Sequence, residues 1–277
     1  MKYEQLIGIK KAMDENVRNL IRQAVENVIS KNSSAKKIDK IRKTHDKKVH
    51  FIPVQYRVFS GLLQSMNIQF GNFIEEMLHL IIQNERSVEV VDSISGKKNV
   101  KMPLSAECDS LIDSYITKCQ NGEYQNLERD FQKLLQDIIS TEESNANKNI
   151  SKHDIDVLFK SGEVLYYLEI KYNDDHDTGK FVDINRKFIK TFAALTNVLG
   201  VENQNKLIPI LYYFNSKKMK GNIYVDEANQ IYRGAKLFDK FFTTKYSQID
   251  EYLKNISYDE EIIKMFDDLY EGIRNKR

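Results

Sequence analysis

A chain of 277 residues can be one large domain or two modest ones, and 41% hydrophobic content with 10% aromatics supports a sizeable core. A formal net charge of only +2 excludes a histone-like polycation, so any contact with nucleic acid has to come from local clustering of basic residues. No apolar run reaches the ~18–20 residues of a membrane span, charges interrupt Leu6-Ile7-Gly8-Ile9 too soon for a signal peptide, and two lone cysteines, Cys108 and Cys119, make neither a zinc site nor a disulfide framework. A reduced, cytoplasmic protein is expected.

Residues 3–30 predict a helix, with Val17, Leu20, Ile21, Ala24, Val25 and Val28 at helical spacing. The next stretch, 31–50, carries eight basic residues, among them Lys36, Lys37, Lys40, Arg42 and Lys43, against Asp39 and Asp46. Such a run is usually a solvated face; beside a site that handles phosphates it becomes a means of neutralising them. A helix is expected over 57–84, a hairpin over 88–102 around Ser95-Gly96-Lys97-Lys98, and one or two helices from Leu104 to about Ser144. A polar stretch, Glu142 to Lys152, then leads into the most informative segment of the chain.

From Asp154 to Lys171 two apolar runs flank Ser161-Gly162-Glu163, which predicts a β-hairpin. Asp154, Asp156, Glu169 and Lys171 interrupt the apolar pattern. Charges on otherwise buried strands are costly unless they pair or bind something, and a divalent metal held by the carboxylates is one way to offset that cost. Glu169 and Lys171 share a face by the two-residue period of a strand. A Gly162-Glu163 loop puts glycine first, as a type II′ turn prefers, and sets Asp156 opposite Glu169; a Ser161-Gly162 loop would bring Asp154 there. The first register is preferred. The competing account is a hairpin whose acids and lysine merely pair across the strands.

After Lys171, Asn173, Asp175 and Asp177 at alternate positions suggest a calcium loop, but Gly179 falls one place late and Ile184 stands where the last glutamate belongs, so a solvated loop is expected. A helix from about Phe181 to Leu199 should bury Phe188, Ile189, Phe192 and Leu195 and leave Arg186, Lys187 and Lys190 on other faces. Leu207 to Phe214 reads as a buried strand, parallel to 164–171. It opens onto a basic loop with Asn215, Lys217, Lys218 and Lys220, which, with Arg186, Lys187 and Arg233, are candidate DNA contacts by location. Residues 235–273 predict a helical tail suited to packing or to a dimer contact.

With Asp156 ahead of Glu169-Ile170-Lys171 at a gap of twelve residues, the chain resembles the PD-(D/E)XK nuclease superfamily. It departs from the pattern in having His153 and Ile155, not proline, before the two aspartates. The resemblance implies an α/β fold, a mixed β-sheet core of the restriction-endonuclease type with flanking helices and helical N- and C-terminal elaborations. It implies one domain: 1–150 mainly helical, 151–225 the catalytic core, 235–277 the tail. It further implies Mg²⁺ held by Asp156, Glu169 and the main-chain carbonyl of Ile170, and Lys171 orienting the attacking water. A helix ahead of the hairpin often adds an acid in this family, for which Glu75 and Glu76 are the candidates beside Asp154. A lone chain with no motor or separate reader domain looks most like a type II restriction endonuclease. Glu169 to Phe181 with Lys217 to Asn222 is similar to the HinfI-like group, which cuts duplex DNA at GANTC as a homodimer beside a cognate methyltransferase. A structure-specific or repair nuclease of the same fold, and a non-catalytic DNA-binding module, are the alternatives.

Overall fold

The computed structural model describes residues 15–175, 177–220 and 222–275; the start of the first expected helix, before residue 15, lies outside them. In chain order come α1 (Glu15–Asn32), α2 (Ala35–Asp46), α3 (Val54–Asn84), β1 (Glu89–Val90), β2 (Gly96–Leu104), α4 (Ala106–Gln120), α5 (Leu127–Ser144), β3 (Asn149–Ile155), β4 (Val157–Ser161) and β5 (Val164–Lys171). Then follow α6 (Thr178–Leu199), β6 (Leu207–Tyr213), α7 (Glu227–Gln230), β7 (Ile231–Arg233), α8 (Ala235–Phe241), α9 (Tyr246–Ile256) and α10 (Glu260–Asn275). Two compact units result, one from the chain up to Phe73 together with the chain from Thr244, the other from Ile74–Thr243.

Among the described residues, the regular elements of the first unit are all helices. Ile38, Val58, Leu62, Met66, Leu269 and Ile273 form its core. Arg22 on α1 ties down the start of α10 through Asp259 (3.2 Å) and Glu261 (2.6 Å).

The second unit is a mixed α/β structure. Its five-stranded sheet runs β1-β4-β5-β6-β7, antiparallel on the β1 and β4 side and parallel from β5 to β7. The helix expected over residues 181–199 begins three residues earlier, because Asp177 accepts the Lys180 amide at 3.0 Å as its N-cap. It ends at Gly200, whose φ of +61° supplies the left-handed residue that closes a helix. Phe188, Ile189, Phe192 and Leu195 are fully buried, as their spacing requires, and pack with residues of α4 and α5 against the sheet.

The β4–β5 hairpin has the expected register. Ser161 faces Val164 and Val157 faces Leu168, and Gly162 takes φ +59°, which a side chain at the first position of this turn would resist. Two strand expectations are corrected. Residues 88–102 do not fold on themselves: β1 joins the five-stranded sheet against β4, while β2 pairs with β3 in a separate two-stranded sheet. Buried Ser95 causes the parting, since its hydroxyl donates to Leu158 O (3.0 Å) and accepts the Leu158 amide (2.9 Å), which holds this corner against β4. The strand expected across Asp154–Ser161 is also broken, at Asp156, whose Oδ2 accepts the Ile170 amide at 2.7 Å. A side-chain oxygen there takes the amide that a continuing ladder would give to a backbone carbonyl.

Candidate active site

The bend at Asp156 and the end of β5 bring two carboxylate oxygens and one carbonyl oxygen around one ammonium. Lys171 Nζ lies 2.8 Å from Glu169 Oε1, 3.7 Å from Asp156 Oδ2 and 2.7 Å from the carbonyl oxygen of Ile170. Period-two alternation explains why Glu169 and Lys171 can meet, and the hairpin register explains why Asp156 joins them. Glu169 is 1% exposed and has two further donors. Tyr167, two residues back on the same face, donates its hydroxyl to Oε2 at 2.8 Å. Lys187 reaches in from α6, to within 3.1 Å of Oε1 and 3.4 Å of Oε2.

The acids respond in opposite directions. Burial, reinforced by the charge of Glu169, pushes the Asp156 carboxyl up to about 7. Burial would raise Glu169 too, but the Lys171 and Lys187 ammonium groups and the Tyr167 hydrogen bond hold it down at about 2. Glu75 on α3 is raised by burial and by Glu169, against the pull of Lys171. Lys171 itself is lifted well above the ordinary lysine value: burial lowers it, but Glu169 and Asp156 outweigh that. Burial that makes the Asp156 carboxyl resist ionisation gives the centre an affinity for added positive charge.

Such a donor set suits a hard divalent cation, which takes carboxylate and carbonyl oxygens. Among the described residues no group of three or more His, Cys, Asp or Glu side chains gathers at metal-holding distances; the third oxygen here belongs to the backbone. Asp156, Glu169 and the Ile170 carbonyl are the groups that would hold the ion, with the ammonium of Lys171 beside all three.

Asp154, the alternative partner of Glu169, is elsewhere. Its Oδ1 accepts the amide of Asn99 at 2.8 Å, at the one described non-glycine residue with positive φ, +48°. The break at Asp156 is what separates the two aspartates. Glu76 is exposed on α3, while its neighbour Glu75 is half-buried and senses the site electrostatically. Tyr167 escaped notice in the sequence, where it passes for another apolar strand residue; its place two before Glu169 was the available signal. Lys187, expected on a helix face away from the core, is found on Glu169.

The other basic candidates differ in how free they are. Arg186 pairs with Asp113 at 3.0 Å and Asp183 at 3.2 Å, and Lys218 pairs with Glu227 at 2.7 Å. In the first unit Lys37 bonds Asn32 and Ser65, and Arg42 donates to Ile273 O at 2.7 Å, whereas Lys36, Lys40 and Lys43 are exposed. Asn215 accepts the Lys217 amide at 3.1 Å, and Lys217 and Lys220 are exposed. The loop expected to be solvated contains a buried anchor: Asp174, 1% exposed, accepts the amides of Met219 (2.9 Å) and Lys220 (3.2 Å) and lies 3.0 Å from Arg233 Nη2. A short polar run hides such a role because burial there comes from partners distant in sequence. Cys108 and Cys119 are buried free thiols.

A mixed sheet with Glu169 and Lys171 at the end of a central strand, and Asp156 at the bend before its antiparallel neighbour, is the arrangement of the restriction-endonuclease class of nuclease. The family model "Type II restriction endonuclease, HinfI" matches residues 13–257. The type II restriction enzyme HinfI of Haemophilus influenzae is 49% identical over 263 residues, covering 94% of this chain and 98% of that protein. The chain belongs to the HinfI family of type II restriction endonucleases, and is a site-specific deoxyribonuclease. Enzymes of this class generally depend on a divalent metal. No solved structure matches the chain, and no helix among the described residues is long and apolar enough to cross a membrane.

Proposed function

We propose that the chain hydrolyses phosphodiesters of double-stranded DNA with Mg²⁺, using Asp156, Glu169, the Ile170 carbonyl and Lys171. The observation that supports this reading is the set of three oxygens within 3.7 Å of Lys171 Nζ, which groups the donors of a hard cation around a cationic group. When bound, the ion polarises the phosphate and lowers the pKa of the attacking water. The chain's own residues do the rest. Asp156 and Glu169 bind the cation, and Tyr167 keeps the Glu169 carboxylate oriented. Lys171 would orient the water and offset charge developing on the phosphate. Glu75 is the additional acid.

On the same reading the target is GANTC, the enzyme acts in the cytoplasm as a homodimer whose two sites mirror the symmetry of the target, and a cognate methyltransferase protects the host. The whole chain functions as one restriction-endonuclease domain with the helical unit as its elaboration. Lys217, Lys220 and Asn215 contact DNA on the loop after β6.

Incubation of the purified protein with a plasmid of known sequence, in Mg²⁺ and in EDTA, tests this. Discrete fragments with Mg²⁺ alone, ending at GANTC, are expected, and Asp156→Ala and Lys171→Ala should each abolish them. Cleavage in EDTA, or normal cleavage by Asp156→Ala, would sink the assignment.

A further inference from the structure

The segment joining α2 to α3, residues 47–53, has no regular secondary structure, yet its backbone is held at several points. The guanidinium of Arg57 donates from Nη1 to His45 O (2.6 Å) and Lys48 O (3.4 Å), and from Nε to Ile52 O (2.9 Å). The Ile52 amide donates to His50 Nδ1 at 2.9 Å, and the Lys48 amide to His45 O at 3.1 Å. Fixed in this way, the loop turns two large apolar side chains into solvent: Val49 is fully exposed and Phe51 is 93% exposed, its ring leaning on His50 with centroids 5.1 Å apart. Leaving such a side chain in water forgoes the gain of burying it. A loop pinned through its carbonyls cannot collapse to recover it.

Charge accompanies this tip. Lys36, Lys40, Lys43 and Lys47 recur at spacings of three and four along α2 and its C-cap, which places them on one face. They line a shared groove with Asp39 and Thr44, four cations to one acid. The remaining basic residues of the helix point elsewhere, Lys37 to Asn32 and Ser65, and Arg42 to Ile273. From Lys36 to Lys47 the stripe is roughly 16 Å long, comparable to about five base-pair steps of rise along the axis of a DNA duplex. It leads to a loop with Lys47 and Lys48 just before Val49 and Phe51.

We infer that this surface docks on duplex DNA, the stripe lysines lying along the phosphates and Phe51, with Val49, packing against bases in the adjoining groove. Apolar side chains used against base steps are set among cations that hold the backbone, and this pattern is on the face described. A second copy of the chain fits less well, because a two-fold contact through this face would oppose the same four lysines to themselves. The inference rests on the reading of the chain as an enzyme of double-stranded DNA, but on none of its catalytic residues.

The test uses the full chain with Ca²⁺ in place of Mg²⁺, a duplex carrying the mapped cleavage site, and fluorescence anisotropy across a salt series. Phe51→Ala should weaken binding about tenfold, a loss of the size that one stacked base contributes, with Tm and sedimentation unchanged. The Lys40→Ala/Lys43→Ala double variant should lower the slope of log affinity against log salt by about two. A 2-aminopurine at the contacted step should brighten with the wild type and not with Phe51→Ala. Unaltered affinity and slope in both variants would overturn the inference, as would wild-type protein that binds no duplex. A shift of Phe51→Ala to a smaller sedimenting species, with DNA affinity per protomer retained, would assign the face to a second copy instead. Because binding is read without turnover, a failure of the Asp156 and Lys171 assignment leaves these outcomes distinct.

Discussion

Tyr167 and Glu169, two residues apart on β5, form a hydrogen bond of 2.8 Å from the phenolic hydroxyl to Oε2, wholly inside the protein. The other carboxylate oxygen faces Lys171 and Lys187. Oε2 is thus held chiefly by the Tyr167 hydroxyl and Oε1 by the two ammonium groups. Tyr167→Phe should keep the fold and weaken Mg²⁺ binding, so that the metal concentration for half-maximal cleavage rises severalfold while the rate at saturating metal falls less. Titration of cleavage with Mg²⁺ separates the two quantities. An unchanged half-saturation point would show that Lys187 alone is enough to orient the carboxylate.

Asp156 gives a pH signature. Its folded-state value is raised to about 7 by burial and by Glu169, above the ordinary aspartate value of 3.8. The folded protein therefore binds more protons than the unfolded chain between those values, and stability falls as pH rises through that window. Thermal unfolding in EDTA should show Tm declining from about pH 4 to about pH 7, and Asp156→Asn should flatten the decline. Glu169 acts with the opposite sign and lower down: held at about 2, it contributes stability that is present above the ordinary glutamate value and lost as pH falls towards 2. A Tm profile that climbs between pH 4 and 7 equally in both proteins would contradict the assigned burial of Asp156.

Much of this centre was legible in the sequence because strand alternation and one turn dictate it. Gly162-Glu163 fixes the register, and the register sets Asp156 against Glu169. What escaped depends on partners far along the chain. Three residues, Ile231–Arg233, are too few for an alternating pattern to declare β7, and their pairing with β6 is what makes them a strand. The break after Ile155 is equally silent, since a side chain that replaces a backbone acceptor leaves no trace in periodicity. The burial of Asp174 follows from amides at 219 and 220, which a local count of polar residues cannot anticipate.

Asp154 provides the control for that break. Its carboxylate caps the Asn99 amide and supports a left-handed backbone position, and it takes no part in the cluster around Lys171. Asp154→Ala should cut DNA at the wild-type rate while lowering stability by about 1 kcal/mol, the usual worth of such a bond. Chemical denaturation and a plasmid assay on the same preparation check both halves. Loss of cleavage with unchanged stability would place Asp154, not Asp156, at the metal.

Glu142 offers a test remote from the site. This buried side chain on α5 accepts the Ser105 amide and hydroxyl, both at 2.9 Å, and Asn197 Nδ2 at 2.6 Å, and it pairs with Lys148 at 3.3 Å. Burial alone would raise its carboxyl, but the bonds from Asn197 and Ser105 outweigh burial and hold it below the ordinary value of 4.5. It joins the start of α4, where Ser105 also caps the Cys108 amide, to α6. Glu142→Gln puts an amide donor where three donors already converge and leaves Lys148 without its counter-charge. A loss of about 2–4 kcal/mol is expected, in the range for breaking a buried charged network. The sign of the pH effect follows from the depressed value: the stabilisation is whole above about pH 4.5 and disappears as pH falls through the folded-state value. Denaturant unfolding at pH 7 and at pH 3 should show a large gap between wild type and Glu142→Gln at the higher pH that narrows at the lower. An equal gap at both would mean that shape rather than charge is what Glu142 supplies.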